Sequence, residues 1–426
     1  MKKLLLILLA LCALLLPQLL RFSWNNPYIY GSSNYASAVF FHTPPFVMYG
    51  LAIVLGIVAV LLLIKLLEQH LQISQWFITT LIIILSPFFF GTFTSFSVAL
   101  LALDIILLAL LIKNIYVQAG FFCIAAALHP YTAVAAAVLF LVYVPKNGYL
   151  PLVGAAAGSG AALVLFGKHA FSFMLPESAL SSFMSEFGSA GYSLPLLLLA
   201  CIGFYVLWKN TVAHIVRSTT LLVLFVLSYF CPPLLPVVAL AVGLLAGKGA
   251  WFLYNRKWSL KLLKDVTILL VFCSMFFSLA AYTNILVKQQ PTPALVQGLM
   301  YLRQTPNDSI ILSAPAYYDY VLYFAQRQAT PSPQVFLEDT RTLQITTELY
   351  SSRSIAETIE YMTALGATHL LFDPEMNQKL NIAQKTGIFF ILQYGGIYTN
   401  IYDVQGITVW KFDAAAANTF ISSNRQ

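Results

Sequence analysis

The sequence predicts a polytopic α-helical membrane protein with about eleven transmembrane helices and a C-terminal extracytoplasmic α/β domain. Three observations carry that expectation. The chain of 426 residues is 59% hydrophobic and only 9% charged, with a mean hydropathy of +0.80, whereas soluble proteins carry about 25% charged residues. Its acidic residues are segregated, since eleven of the 16 follow Lys288 and only Glu68, Asp104, Glu177, Glu186 and Asp265 precede it. Its basic residues are segregated too: 15 of the 23 Lys and Arg lie in the first 288 residues. Positive charge marks cytoplasmic loops. With the N-terminus inside, twelve of these fifteen fall on the cytoplasmic side, and only Arg21, Lys168 and Lys288 fall outside. Membrane orientation thus accounts for the basic excess, and no nucleic-acid partner is expected.

A hydrocarbon core of about 30 Å needs roughly 20 apolar residues per helix. Apolar stretches at 4–20, 46–67, 75–90, 97–112, 115–128, 131–145, 150–166, 192–208, 218–231, 234–247 and 266–286 are the expected spans. The first reads as a retained signal anchor, because MKKLLLILLALCALLL is followed by further spans and by no small-residue cleavage site. His129-Pro130 divides one long apolar run into two short helices, since proline disfavours helix at the residue before it. The run GAAAGSGAAL at 154–163 is expected to be a packing face, because small residues let backbones approach closely in a bilayer. Phenylalanines and methionines recur at near-helical spacing between Phe171 and Phe187, around Glu177, and predict an amphipathic helix lying in the interface. All five cysteines sit in apolar stretches without a CxxC pair, so neither a disulfide framework nor a zinc site is expected.

The expected domains are residues 1–288 in the membrane, 289–413 as the α/β domain and 414–426 as a frayed tail. In the second, PALVQGLMYLRQ, PAYYDYVLYFAQRQ, a stretch begun by Asp339 or Thr340, and SIAETIEYMTALG read as helices. Pro374 is expected to open a further helix. SIILSA, HLLFD, FFILQY, IYTNIYDV and GITVWKF read as strands, with turns at Gly395-Gly396 and Gln405-Gly406.

Taken together, a signal anchor, a long outer loop from Arg21 to Pro45, many short spans and a C-terminal outer α/β domain resemble the GT-C superfamily of polyprenyl-phosphate-dependent membrane glycosyltransferases. Oligosaccharyltransferases and protein O-mannosyltransferases belong to it. The stretches MYLRQTPNDSIILSAPAYYDYVLYFAQRQ and LGATHLLFD are similar to segments of the outer domain in prokaryotic members. The resemblance implies sugar transfer from a polyprenyl-phosphate donor to an acceptor on the outer face of the cell membrane. It also implies an acidic residue in the first outer loop that binds a divalent metal or acts as base. Here that place holds Gly31-Ser32-Ser33-Asn34-Tyr35, so Ser33 or Asn34 stands where a carboxylate is expected, and no metal-ligand set is evident. Hydroxyls and amides can hydrogen-bond a sugar but are poor bases. The alternative reading is a non-catalytic scaffold that binds a lipid-linked glycan or a partner membrane protein.

The candidate residues follow. Asp104 is a carboxylate in the middle of a span, where insertion costs roughly 2.5–3.5 kcal/mol; it serves either as a packing contact or in handling substrate or a proton. Glu177 is the expected replacement for the missing acid of the first loop, or else a solvated position of the interfacial helix. Arg21, Lys168 and His169 are outer cations suited to a lipid phosphate or to headgroups. His129 either contacts substrate or caps a helix. Asp319 and Asp373 read as surface, cap and turn residues.

Overall fold

The protein is described here by a computed structural model covering residues 2–29, 35, 38, 39, 42–94, 96–143, 149–166, 192–208, 212–230, 234–288, 290–314, 317–331, 348–350, 352–373, 388–392 and 396–424. Two compact units emerge. One comprises Met1–Trp24 with Phe46–Lys288, and the other Asn25–Pro45 with Gln289–Gln426. The first outer loop is therefore part of the second unit from Asn25 onward.

The first unit is helical throughout its described residues. Its helices are α1 (Lys2–Ser23), α2 (Pro45–His70), α3 (Ile73–Ile84), α4 (Pro87–Phe93), α5 (Val98–Leu111), α6 (Ile115–Leu128), α7 (Pro130–Tyr143), α8 (Tyr149–Phe166), α9 (Leu194–Trp208), α10 (Val212–Phe230), α11 (Leu235–Asn255) and α12 (Lys261–Lys288). Every expected apolar stretch falls on one of these, but the third is broken. Pro87 cannot donate to the preceding turn, and Ser86 donates its hydroxyl to the Ile83 carbonyl at 2.7 Å, so α3 and α4 meet at a 60° bend. By length and apolarity α1, α2, α11 and the helix beginning at Lys261 can each cross a bilayer, and the bent pair makes a fifth. Six further apolar helices are shorter, among them α5 to α9.

Local chemistry sets the helix ends. Ser97 caps α5 by accepting from the Leu100 amide, and Asn114 caps α6 by accepting from the Tyr116 and Val117 amides. The break expected at His129-Pro130 separates α6 from α7. Lys3 of α1 pairs with Glu68 of α2 at 2.7 Å, and Tyr49 near the start of α2 donates to the Leu14 carbonyl at 2.9 Å. These contacts fix α1 and α2 as antiparallel neighbours.

The small-residue run in α8 is a packing face. A Cβ at Gly154 would overlap the Ala119 carbonyl of α6, and one at Gly158 would overlap the Cys123 carbonyl. The two glycines stand four residues apart on one side of α8, so the backbones of α6 and α8 lie in direct contact. Lipid tails are as apolar as leucine, so helix association rests on such contact rather than on burying apolar surface.

The second unit is built on a five-stranded mixed sheet in the order β2-β1-β3-β5-β4. Its elements are α13 (Pro293–Leu302), β1 (Ile310–Leu312), α14 (Tyr318–Tyr320) running into a π-helical turn (Val321–Ala325), β2 (Gln328–Thr330), α15 (Ile355–Ala364), β3 (His369–Phe372), α16 (Ile388–Leu392), β4 (Tyr398–Val404), β5 (Ile407–Phe412) and α17 (Ala414–Asn424). β1 runs parallel to both β2 and β3, while β5 runs antiparallel to β3 and β4. All four residues of β3 are buried, as a central strand covered on both faces requires.

Three elements of this unit differ from the expectation. Gln328, read as the last residue of a helix, instead opens the edge strand β2 at 328–330. FFIL, the described part of the expected strand FFILQY, is helical rather than extended. Ile388, Ile391 and Leu392 are buried, and the i, i+3, i+4 spacing is that of a helix, which a short apolar run does not reveal by periodicity. The frayed tail is α17, capped by Asp413 Oδ1, which accepts from the Ala415 and Ala416 amides at 2.9 and 3.1 Å. Ala417, Phe420 and Ile421 then seat it on the core at the same helical spacing. The helices expected from Asp339 or Thr340 and from Pro374 lie outside the described residues.

The first outer loop is stitched into this unit by its aromatic residues. Tyr35, 2% exposed, packs against Tyr320, Tyr323 and Phe324 with ring centroids 5.3, 5.3 and 5.0 Å away, and Tyr28 meets Phe324 edge-on at 5.7 Å. Asn26 donates to the Pro291 carbonyl at 3.1 Å.

Candidate functional site

In open α/β sheets ligands bind beyond the carboxyl ends of the strands, at the point where the strand order reverses. The parallel strands here run in the order β2-β1-β3, so the chain leaves β1 toward β2 on one side and returns to β3 on the other. The reversal lies between the carboxyl ends of β1 and β3. The segment after β1 brings Tyr317, Tyr318, Asp319 and Tyr320 to that point, and the residue directly after β3 is Asp373. Asp373 is fully buried and accepts a hydrogen bond on Oδ2 from the Tyr317 hydroxyl, which ties the two strand ends together. Tyr320 donates to the Gln290 carbonyl at 3.1 Å and meets Tyr35 edge-on. Asp319 is half-buried, and loss of hydration pushes its carboxyl up to about 6.

Asp319 and Asp373 read in the sequence as surface, cap and turn residues, whereas Asp373 is the buried acceptor of the Tyr317 hydroxyl. The available signal was positional. Asp373 directly follows the short buried strand HLLF, and Asp319 lies within the aromatic run that follows IIL.

In the first unit, Asp104 lies in the middle of α5 and is 6% exposed, and neither carboxylate oxygen has a hydrogen-bonding partner among the described residues. Buried polar groups of native proteins are almost always paired. His129 ends α6 and turns its Nδ1 toward Thr132, whose hydroxyl lies 2.6 Å away and whose amide lies 3.4 Å away. A ring nitrogen that accepts from the amide leaves the proton on Nε2. His129 is thus a helix-junction residue whose Nε2 proton has no hydrogen-bonding partner among the described residues. Arg21 is 0% exposed and donates to the Val287 carbonyl at 3.3 Å, joining the ends of α1 and α12. Nearby, the Lys288 ammonium sits 5.9 Å from the Trp24 ring centroid. Asp104 shares no hydrogen bond with Arg21 or His129.

Ser33, Asn34, Lys168, His169 and Glu177 lie outside the described residues, as does the expected interfacial helix around Glu177. Among the described residues no three His, Cys, Asp or Glu side chains converge as a metal-ligand set.

The helices of the first unit and the mixed α/β domain of the second together have a fold similar to that of archaeal oligosaccharyltransferases of known structure. The apo oligosaccharyltransferase of Archaeoglobus fulgidus superposes with a TM-score of 0.58 at 10% identity, over 96% of this chain and 74% of that one. The same organism's oligosaccharyltransferase AglB in complex with an inhibitory peptide and a dolichol-phosphate gives 0.54 at 10% identity, over 88% and 65%. The form tethered to an acceptor peptide containing the NVT sequon gives 0.51 at 10% identity, over 86% and 63%. In the latter two comparisons this chain spans less than two thirds of the archaeal protein's length. No protein-family model and no characterised protein sequence matches the chain.

Proposed function

We propose that the chain is a GT-C-like membrane glycosyltransferase that moves a sugar from a polyprenyl-phosphate donor to an acceptor on the outer face of the membrane. The observation that carries this reading is the fold shared with the Archaeoglobus fulgidus oligosaccharyltransferase over 96% of the chain. A structure of that enzyme holds dolichol-phosphate and a peptide, which supports a lipid-linked donor and an outer acceptor here. In this reading the N-terminus is cytoplasmic, about eleven helices cross the bilayer, and the α/β unit is extracytoplasmic. Asp104 and Glu177 are the carboxylates assigned to proton handling, and the orphaned state of Asp104 supports its part. Lys168 and His169 are assigned to the donor phosphate. Ser33, Asn34 and the Nε2 donor of His129 are assigned to hydroxyl groups of the sugar or acceptor. Arg21 is buried, so its charge is assigned to holding the end of α1 against α12.

The test is transfer of a labelled sugar from a defined polyprenyl-phosphate donor by the purified protein in nanodiscs. Glu177→Gln and Asp104→Asn should each lower the rate at least a hundredfold, the scale of lost general acid–base catalysis, about 10²–10⁴. Full activity in both would end this assignment. Cysteine labelling that placed residue 350 in the cytoplasm would end the topology as well.

One observation favours a second reading. Tyr35, next to the missing acid, is a core residue of the α/β unit. A loop recruited into a domain core suits a scaffold that binds a lipid-linked glycan or a partner membrane protein without transferring sugar. That reading expects donor binding at undiminished affinity with no turnover.

A further inference from the structure

The second unit carries a groove of about 570 Å³ that is separate from the Tyr317–Asp373 constellation. Its volume lies within the range of about 300–1,000 Å³ usual for small-molecule sites. One wall is the end of the first outer loop, with His42 and Thr43. The other is formed by Arg303 at the end of α13 and by Tyr323 and Gln326 of the π-helical turn. Among the described residues no carboxylate lines it.

Three features show a built site. The guanidinium of Arg327 donates to the carbonyls of Gln326 and Arg303, at 2.9 and 2.6 Å, and to that of Thr305, so the backbones carrying Arg303 and Gln326 are held in register by a buried clamp. His42 and Gln326 both hold left-handed backbone, each at φ 52°, a conformation that costs a residue other than glycine and collects at ligand clamps. The Thr43 hydroxyl is shut off from solvent and has no hydrogen-bonding partner among the described residues. The Arg303 guanidinium, by contrast, is exposed at the rim. No hydrogen bond or ion pair engages its side chain among the described residues.

We infer that this groove binds a saccharide ring carrying a carboxylate. The planar guanidinium fork of Arg303 matches a carboxylate in two-point contact. The half-buried Tyr323 offers a flat apolar face for a sugar ring. His42 and Gln326 supply the hydroxyl-directed donors and acceptors. The inference deepens the glycan-handling reading above by naming the class of sugar, and it rests on that reading for its relevance to transfer.

The full-length protein in nanodiscs is titrated calorimetrically with a glucuronate-containing disaccharide and with its neutral glucose counterpart, with inorganic phosphate as competitor. The acidic sugar should bind at least about tenfold more tightly than the neutral one, the scale of one charge-assisted contact. Arg303→Gln should abolish that preference, Tyr323→Leu should weaken both sugars alike, and Lys411→Gln, on a sheet strand away from the groove, should change neither. Equal binding of both sugars by the wild type, an intact preference in Arg303→Gln, or full displacement by equimolar phosphate would each overturn the inference. Binding is read without turnover. An inactive protein that keeps the preference therefore counts against the transferase alone, whereas an active protein without it counts against the groove alone.

Discussion

Asp104 in the helical unit and Asp373 in the α/β unit are buried to almost the same degree, 6% and 0% exposed, yet their surroundings are opposites. Asp373 closes the carboxyl ends of two parallel strands and accepts from Tyr317. Asp104 has no hydrogen-bonding partner among the described residues. A paired buried carboxylate fixes structure, while an unpaired one only costs stability unless it acts. The same contrast extends to packing. The helical unit brings the backbones of α6 and α8 together through the glycines of α8, whereas the α/β unit fills its core with tyrosines and phenylalanines packed edge-on or tilted around Tyr35.

The largest expected effect breaks the aromatic half of that comparison. Tyr35→Ala should destabilise the α/β unit by about 3–5 kcal/mol, the cost of removing a buried aromatic ring. Limited proteolysis should then cut within residues 290–424 first and leave the helical unit intact. In the helical unit Gly158→Leu should cost about 1–3 kcal/mol or more, because the Cys123 carbonyl occupies the space of the new side chain. Gly160→Leu, which meets nothing within 4 Å, should leave the melting temperature and the gel-filtration profile unchanged.

The two aspartates can be set against each other by one kind of substitution. Asp373→Asn should lower stability by about 1–3 kcal/mol, because it replaces a charge-assisted acceptor in a buried bond. Asp104→Asn should cost nothing and can raise the melting temperature, because a neutral amide is cheaper to bury than a carboxylate. Equal losses at both sites would erase the distinction. The smallest effect concerns pH. Burial raises the Asp319 carboxyl to about 6, so the stability linked to its protonated form is complete below the ordinary carboxylate range and is lost as pH rises through about 6. Asp319→Asn should flatten the slope of melting temperature against pH over that window. An unchanged slope would place Asp319 in water.

The sequence showed its helical unit clearly because span length and charge asymmetry are strong signals. The break at His129-Pro130 and the glycine face at 154–163 were legible for the same reason, since each rests on local chemistry. The fate of the first outer loop was not. Nothing in RFSWNNPYIYGSSNYASAVFFHTPP says that Tyr28 and Tyr35 pack on residues nearly 300 positions later, because aromatic side chains serve a site and a core equally well. Asp373 was hidden by its Asp-Pro context, which looks like a helix start, and α16 by an apolar run too short to show its period. The orphaned state of Asp104 could be suspected from its place in a span, but only three-dimensional packing removes its neighbours.

The most direct test of the account is a single-turnover experiment on the wild-type protein in nanodiscs, with a labelled polyprenyl-phosphate sugar and a mixture of outer-face acceptors. The account predicts that label leaves the lipid phase for the acceptor and leaves behind one equivalent of polyprenyl phosphate. A protein that binds the donor yet retains all label on the lipid would contradict it and leave the scaffold reading in its place.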